Sequence, residues 1–163
     1  MKRSVLVLLL LVFGLGSVAL AQTQTQTGAA APADKTAYDS ALAKRLGADE
    51  HGMRSYVLVI LRTGPKPMPK GKARDAMFAG HFANIERLAE AGKLVLAGPF
   101  GEHNGDWRGL FLLAVDDVEQ ARQLTATDPT VAQGEMIAEY HVWYGSAAAM
   151  MLPELHQRLV APR

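Results

Sequence analysis

His81 is the side chain of this sequence whose type and position best suit proton transfer. On a helical wheel it lies among Met77, Phe78, Ile85 and Leu88, on the apolar side of a predicted helix. An imidazole in such surroundings needs a hydrogen-bond partner. A carboxylate partner would fix the tautomer and leave the other ring nitrogen as a base near neutral pH. A backbone carbonyl would also satisfy the ring, and His81 would then be a core residue.

Other catalytic chemistries are limited by the composition of the chain. The 163 residues include no cysteine, which excludes disulfides, thiolate zinc sites and cysteine nucleophiles. No histidine follows another by two or four positions, so a local metal-binding pattern is missing. The sequence also lacks a P-loop, a dinucleotide glycine motif and a Gly-x-Ser-x-Gly elbow. We therefore expect no metal and no organic cofactor, with His103 in solvent and His141 at an interface.

Three further residues are candidates for a substrate pocket. Pro99 follows a predicted strand and would shape the mouth of a site. Trp107 and Tyr144 lie at strand ends, where they would line a pocket for a ring-shaped substrate. Aromatic residues at strand ends also commonly belong to the core, and Gly98-Pro99 is also a plain turn signal. Both interpretations remain open from the sequence.

The pattern of apolar residues places these candidates on a β-α-β-β-α-β order of elements. Strands are predicted at 56–61, 94–97, 107–115 and 136–144, and helices at 77–91 and 116–125. Asp116 and Glu119 are interpreted as the capping pair of the second helix. This order predicts an α+β fold, a ferredoxin-like sheet with both helices on one face.

Two predicted strands are apolar at every position instead of alternating. These segments, 56–61 and 110–115, would be buried on both faces of the sheet. Two helices on one side cover a single face, so we expect the sheet of an identical subunit to cover the other. The protein is therefore predicted to be a homodimer or a multiple of it. A charge at Val59 or Leu113 is expected to abolish folding and dimerisation together.

The first residues have the three parts of a secretory signal. Lys2 and Arg3 precede an apolar run at 5–13, and Ala19-Leu20-Ala21 supplies the small residues of a cleavage site. The apolar run is too short to span a bilayer. We expect residues 1–21 to be removed, which leaves a periplasmic or secreted protein that begins at Gln22 and has no membrane association.

The segments outside the predicted sheet differ in composition. Residues 22–36, rich in Gln, Thr, Ala and Pro, are expected to form a flexible linker. Residues 37–54 form an amphipathic N-terminal arm, with Tyr38, Leu42 and Leu46 at helical spacing and Gly47 as the helix end. Residues 147–163 form a tail with a short helix. The net charge of +1 supplies no basic surplus, so nucleic acid is not an expected partner.

Six segments together carry a resemblance to a known family: 56–66, 81–84, 93–100, 107–109, 127–129 and 143–146. They resemble the YciI-like family, which has a YCII-related domain and belongs to the dimeric α/β barrel superfamily. We expect this domain at 55–146. The resemblance implies a fold similar to that of small cofactor-free isomerases, dehydrochlorinases and monooxygenases. It also implies a site that pairs a helix histidine with a loop aspartate, by position His81 and Asp128.

Asp128 has a second interpretation, because an aspartate before Pro129 also fits the cap of a short helix at 129–133. Two functions are therefore kept. One is a cofactor-independent acid–base enzyme, an isomerase or lyase that acts on a small organic molecule through His81 and Asp128. The other is a non-catalytic small-ligand-binding or assembly module. A cleft without polar groups other than this pair would favour the enzyme, and a filled barrel interior would favour the module.

Overall fold

The computed structural model describes residues 37–101 and 105–161, so the predicted signal, the predicted linker and His103 lie outside the described residues. The elements in chain order are α1 (Ser40–Leu46), β1 (Met53–Thr63), α2 (Lys72–Glu90), β2 (Leu94–Pro99), β3 (Trp107–Leu113), α3 (Val118–Thr125), α4 (Pro129–Ala132), β4 (Met136–Ser146), a 3₁₀-helix (Ala147–Met151) and α5 (Leu152–Gln157).

The four strands form one antiparallel sheet in the order β2-β3-β1-β4. β3 lies between β1 and β2, the two strands that α2 connects, which is the split arrangement of a ferredoxin-like fold. The predicted α+β class and order of elements are confirmed. β1 is central and pairs with β4 from Met53 opposite Ser146 to Thr63 opposite Met136.

The main core lies between the sheet and the two longer helices, α2 and α3. Val57 and Val59 of β1 and Leu113 of β3 are fully buried there against Leu88 of α2 and Ala121 of α3. Burial of one such aliphatic side chain contributes about 1.5–3 kcal/mol. A charge at Val59 or Leu113 would therefore remove the core of the single chain and would not report on a dimer.

The second face of the sheet is covered at one end by the chain itself. Tyr56 and Leu112 are buried there, with Ala149 and Met150 of the 3₁₀-helix packed against them. We expected this face to be covered by a second subunit, and the C-terminal tail takes over part of that role. Trp143, on the same face beside Tyr56, remains 44% exposed.

The N-terminal arm contains the short helix α1, which contacts the 3₁₀-helix, and its last two residues already belong to β1. Asp39 caps α1 by accepting a hydrogen bond from the Leu42 amide at 2.9 Å, and Gly47 ends it in the left-handed conformation. Leu46 is buried, as the helical stripe predicted. Tyr38 is 82% exposed, because α1 begins only after it.

Candidate active site

His81 and Asp128 are brought together from two different helices. His81 lies in α2, and Asp128 immediately precedes α4. The His81 Nδ1 atom is 2.7 Å from the Asp128 Oδ2 atom, and the two residues are 7% and 0% exposed. The two residues are 47 positions apart in the sequence, so the contact depends on the packing of α4 on α2.

The Asp128 carboxylate serves two structural purposes through its two oxygens. Oδ1 accepts hydrogen bonds from the Thr130 backbone amide at 2.9 Å and from the Thr130 hydroxyl at 2.7 Å, which caps α4. Oδ2 accepts from His81 and, at 3.4 Å, from the side-chain amide of Asn84. The interpretation of Asp128 as a helix cap and its pairing with His81 therefore describe the same side chain.

The electrostatics of Asp128 determine which nitrogen of His81 holds the proton. Burial acts to raise the pKa of Asp128, but the hydrogen bonds from His81 and Thr130 outweigh it, and the pKa lies below its usual value. The carboxyl group is therefore ionised at neutral pH and can only accept hydrogen bonds. Nδ1 of neutral His81 consequently carries the proton, and Nε2 has the free lone pair.

The free nitrogen of His81 is in contact with solvent. Among the described residues, no hydrogen bond to Nε2 is formed, and no buried side-chain nitrogen or oxygen lacks a partner. An unpartnered Nε2 must therefore have accessible surface. His81 has a mostly buried ring with one reachable nitrogen, the arrangement that a general base requires.

His81 lies in the wall of a cavity of about 530 Å³ between α2 and the sheet. This volume falls within the range of about 300–1,000 Å³ that is typical of small-molecule sites. The rings of Phe78, Phe82 and Phe111 surround the imidazole, with centroids 5.4–5.9 Å from its own. Among the described lining residues, His81 and Arg108 have the polar side chains, and the others are apolar residues or glycine.

The three predicted pocket residues lie at different places in the structure. Pro99 lines the cavity at the end of β2. Trp107 does not line it but packs with its ring 5.2 Å from that of Phe100, which does. Tyr144 lies away from this cavity on β4, where its hydroxyl donates to the Asp49 carboxylate.

Asn84 is a site residue that the sequence reasoning did not single out. Its oxygen accepts hydrogen bonds from Arg87 at 2.6 Å and from the Thr127 hydroxyl at 2.9 Å, while its nitrogen donates to Asp128. These contacts orient the amide toward the carboxylate. The signal was present, because Asn84 follows His81 by three positions and so shares its buried helix face.

Glu135 is a second buried acid that was not predicted. It is 2% exposed, and it accepts hydrogen bonds from the Met68 backbone amide at 2.5 Å and from Arg74 at 2.9 Å. Burial acts to raise the pKa of Glu135, but the effect of these contacts is larger and the pKa lies below its usual value. The carboxyl group is therefore ionised at neutral pH. Arg108 lies next to it, with Nη1 3.6 Å from Oε1.

Neither a metal-binding cluster nor a membrane-spanning helix is present in residues 37–101 and 105–161. No group of three or more histidines, aspartates or glutamates is arranged to hold a metal ion there. The described helices are also too short or too polar to cross a membrane.

Comparison with known proteins identifies a family, and similar proteins include a curated sequence and a solved structure. The family model for the YCII-related domain matches residues 55–144. The uncharacterized protein YjpA of Bacillus subtilis is 28% identical over 91 residues, which cover 56% of this chain and 95% of YjpA. One similar solved structure is that of 5-chloro-2-hydroxyhydroquinone dehydrochlorinase (TftG) from Burkholderia phenoliruptrix, in complex with 2,5-dihydroxybenzoquinone. It is 21% identical, with a TM-score of 0.37, over 53% of this chain and 90% of the other. A TM-score of this size carries no inference about activity.

Proposed function

The chain belongs to the family of proteins with a YCII-related domain, and on that premise we propose that it is a cofactor-independent acid–base enzyme of the isomerase or lyase type. Its substrate is a small organic molecule held in the cavity beside His81. The observation that carries the proposal is the reachable Nε2 of a histidine whose Nδ1 is held by an ionised, buried Asp128. This arrangement supports a role for His81 as a base, because its tautomer is fixed and it lies in an apolar site.

The proposed reaction begins when Nε2 of His81 removes a proton from a carbon atom of the substrate that an adjacent carbonyl acidifies. The imidazolium that forms is stabilised by the negative charge of Asp128. In an isomerisation, the same proton returns to a different atom of the substrate. In an elimination, the electron pair of the broken C–H bond forms a double bond while a leaving group departs with its own pair. A positioned base of this kind typically contributes about 10²–10⁴-fold to the rate.

The proposal can be tested without knowing the substrate, because carbon acids exchange their protons for deuterium when a base removes them. We suggest incubating a panel of cyclic ketones and unsaturated lactones, each with and without a carboxylate group, with the protein in D₂O and following the C–H signals by NMR. The expected result is exchange with the wild type and its loss in His81→Ala. His51→Ala is the matched control, because the His51 side chain is 71% exposed and its contact is with Glu50.

The result for the variants separates the enzyme from the alternative function. Exchange that persists in His81→Ala would contradict the assigned base. A lower melting temperature without a selective loss of exchange or ligand binding would make His81 a core residue. Ligand binding with no exchange for any compound would favour the non-catalytic binding or assembly module. The open cavity supports the enzyme, although Arg108 adds a polar group that the sequence did not lead us to expect.

The proposed enzyme is exported and homodimeric. Export is supported by the three-part signal pattern of residues 1–21. The dimer is supported by the part of the second sheet face that the 3₁₀-helix leaves uncovered, where Ile137 is 45% exposed and Trp143 is 44% exposed. A second copy of the sheet would cover such a surface.

A further inference from the structure

We propose that Arg108 makes the cavity selective for small organic anions, so that the ligand carries a carboxylate, phenolate or enolate group. This inference deepens the proposed function and rests on it for the location of the substrate. It concerns which ligands bind and not how a proton is moved.

Arg108 is directed toward the cavity by an irregularity in the sheet. Leu61 of β1 pairs with Gly109, and the next residue, Arg62, pairs with Trp107, so Arg108 is the extra residue of a β-bulge. Bulges change the direction of a side chain and are frequent next to active sites. The arginine consequently lines the same cavity as His81.

The charge of Arg108 is incompletely compensated by its neighbours. Among the described residues, the carboxylate that pairs with Arg108 is that of Glu135, 3.6 Å away, which is beyond hydrogen-bond range. Glu135 is already held by Arg74 at 2.9 Å and by the Met68 amide. The cluster of two arginines and one glutamate therefore has one positive charge in excess. Within the described residues, the Arg108 guanidinium makes no hydrogen bond of its own.

The surroundings of this cluster strengthen its attraction for an anion. Arg74 lies over the ring of Phe78, 4.4 Å from its centroid, and that ring is part of the cavity wall. The charge on Asp128 faces His81 and is held there by hydrogen bonds. The remaining lining is apolar, and charges attract each other more strongly there than in water. A guanidinium fork with free donors also matches the geometry of a carboxylate.

The test compares two ligands of nearly the same shape, benzoate and benzamide, which differ in charge. Isothermal titration with the wild-type protein should give a dissociation constant at least about 10-fold lower for benzoate. Arg108→Gln should bind the two ligands within about 2-fold of each other while its affinity for benzamide stays unchanged. Arg108→Lys keeps the charge and loses the fork, so it should retain part of the preference.

Two results would overturn the inference: equal affinity of the wild type for both ligands, or an undiminished preference in Arg108→Gln. If Arg108→Gln does not fold, the wild-type comparison and Arg108→Lys still decide. His81→Ala separates this inference from the proposed function, because it should lose deuterium exchange and keep the preference for benzoate. Exchange without anion preference would refute the role of Arg108 alone, and preference without exchange would refute the role of His81 alone.

Discussion

Asp128 is the residue on which local structure and proposed chemistry depend together. One carboxylate oxygen caps α4 and the other holds the His81 ring, so a change at this position affects both. Each hydrogen bond to a charged group of this kind contributes about 1.5–3 kcal/mol. The contribution also depends on pH, because the contacts favour the ionised form.

We predict that Asp128→Asn reduces the loss of stability in acid. Because the pKa of Asp128 in the folded protein is below its unfolded value, its contribution is present above about pH 4 and is lost as the pH falls below it. Urea denaturation at pH 3 to 7 should show a decrease in unfolding free energy toward pH 3 that is smaller in Asp128→Asn than in the wild type. Asp116→Asn, at an exposed position, should show the same decrease in unfolding free energy as the wild type. Equal decreases in all three proteins would contradict the prediction.

The sequence predicted the central residue of the candidate site but not its whole environment. His81 could be found because a lone imidazole on an apolar helix face is chemically conspicuous. The position of Asp128 came from the family resemblance, and the contact itself depends on tertiary packing. Arg108 stayed unnoticed because its direction follows from a bulge, which depends on the pairing of two strands and leaves no local pattern. Glu135 was missed for a similar reason, since its partners are 61 and 67 positions away.

At the scale of elements, the distance between α2 and α4 sets the geometry of the site. Gly80 lies where the two helices meet, and a Cβ atom added there would be 2.9 Å from Cγ of Pro129. Real Cβ contacts of this length essentially do not occur, so any larger residue would force the helices apart. Gly80 precedes His81 and Pro129 follows Asp128, so that movement acts directly on the pair.

We predict that Gly80→Ala weakens the site without removing either of its side chains. A glycine-to-alanine change inside a helix normally stabilises it by about 1 kcal/mol, whereas overpacking costs about 1–3 kcal/mol. The expected net effect is destabilisation, with a loss of deuterium exchange larger than the change in stability explains. Ala83→Gly, on the exposed side of α2, serves as the control, because it measures how much helix propensity alone changes the unfolding free energy. A more stable, fully active Gly80→Ala would show that α4 can move away freely.

The order of elements was predicted correctly because each strand is marked by an apolar run and each helix by its own periodicity. Their ends were less accurate. α2 begins at Lys72, five residues before the predicted start, because its first turn is polar and solvent-exposed. α3 is capped by Asp117, whose carboxylate accepts from the Gln120 amide, and not by Asp116. Two adjacent aspartates offer the same cap chemistry, and the sequence alone does not distinguish them.

At the scale of the whole molecule, the two faces of the sheet differ in how completely they are covered. The helices bury the middle of one face, whose edge strand keeps an exposed apolar residue at Val142, and the 3₁₀-helix buries only one end of the other face. Val59 and Leu113 lie on the helix face, so charges there would unfold the chain whatever its oligomeric state. Ile137 lies on the uncovered face, on the edge strand β4, and a substitution there can test whether this face forms an interface.

We predict that Ile137→Lys converts a dimer into a folded monomer. The lysine would place a charge in the proposed interface, where it would lose hydration without gaining a partner. Sedimentation at micromolar concentration should show the change in mass, and circular dichroism should show that the fold is kept. Val142→Lys is the matched control, because Val142 is 63% exposed on the same strand and pairs with Val57 of the helix face. A wild-type protein that sediments as a monomer would refute the proposed dimer.

We also predict that the exported protein begins at Gln22. The small residues before it fit the preference of a signal peptidase, and no second apolar run with such residues follows. Mass spectrometry of the protein recovered outside the cytoplasm should give the mass of residues 22–163. Recovery of the protein with Met1 or Lys2 would contradict the prediction.

The pairing of β1 with β4 has a consequence for the order in which the chain folds. These strands run 11 residues each, side by side, although Met53 and Ser146 are at opposite ends of the sheet-forming sequence. A chain still lacking residues 136–146 leaves one edge of the central strand unpaired along its whole length. Such non-local pairing gives high contact order and slow folding. The native sheet therefore cannot be completed until synthesis has passed residue 146, and the proposed export would act on a chain whose central strand still has an open edge.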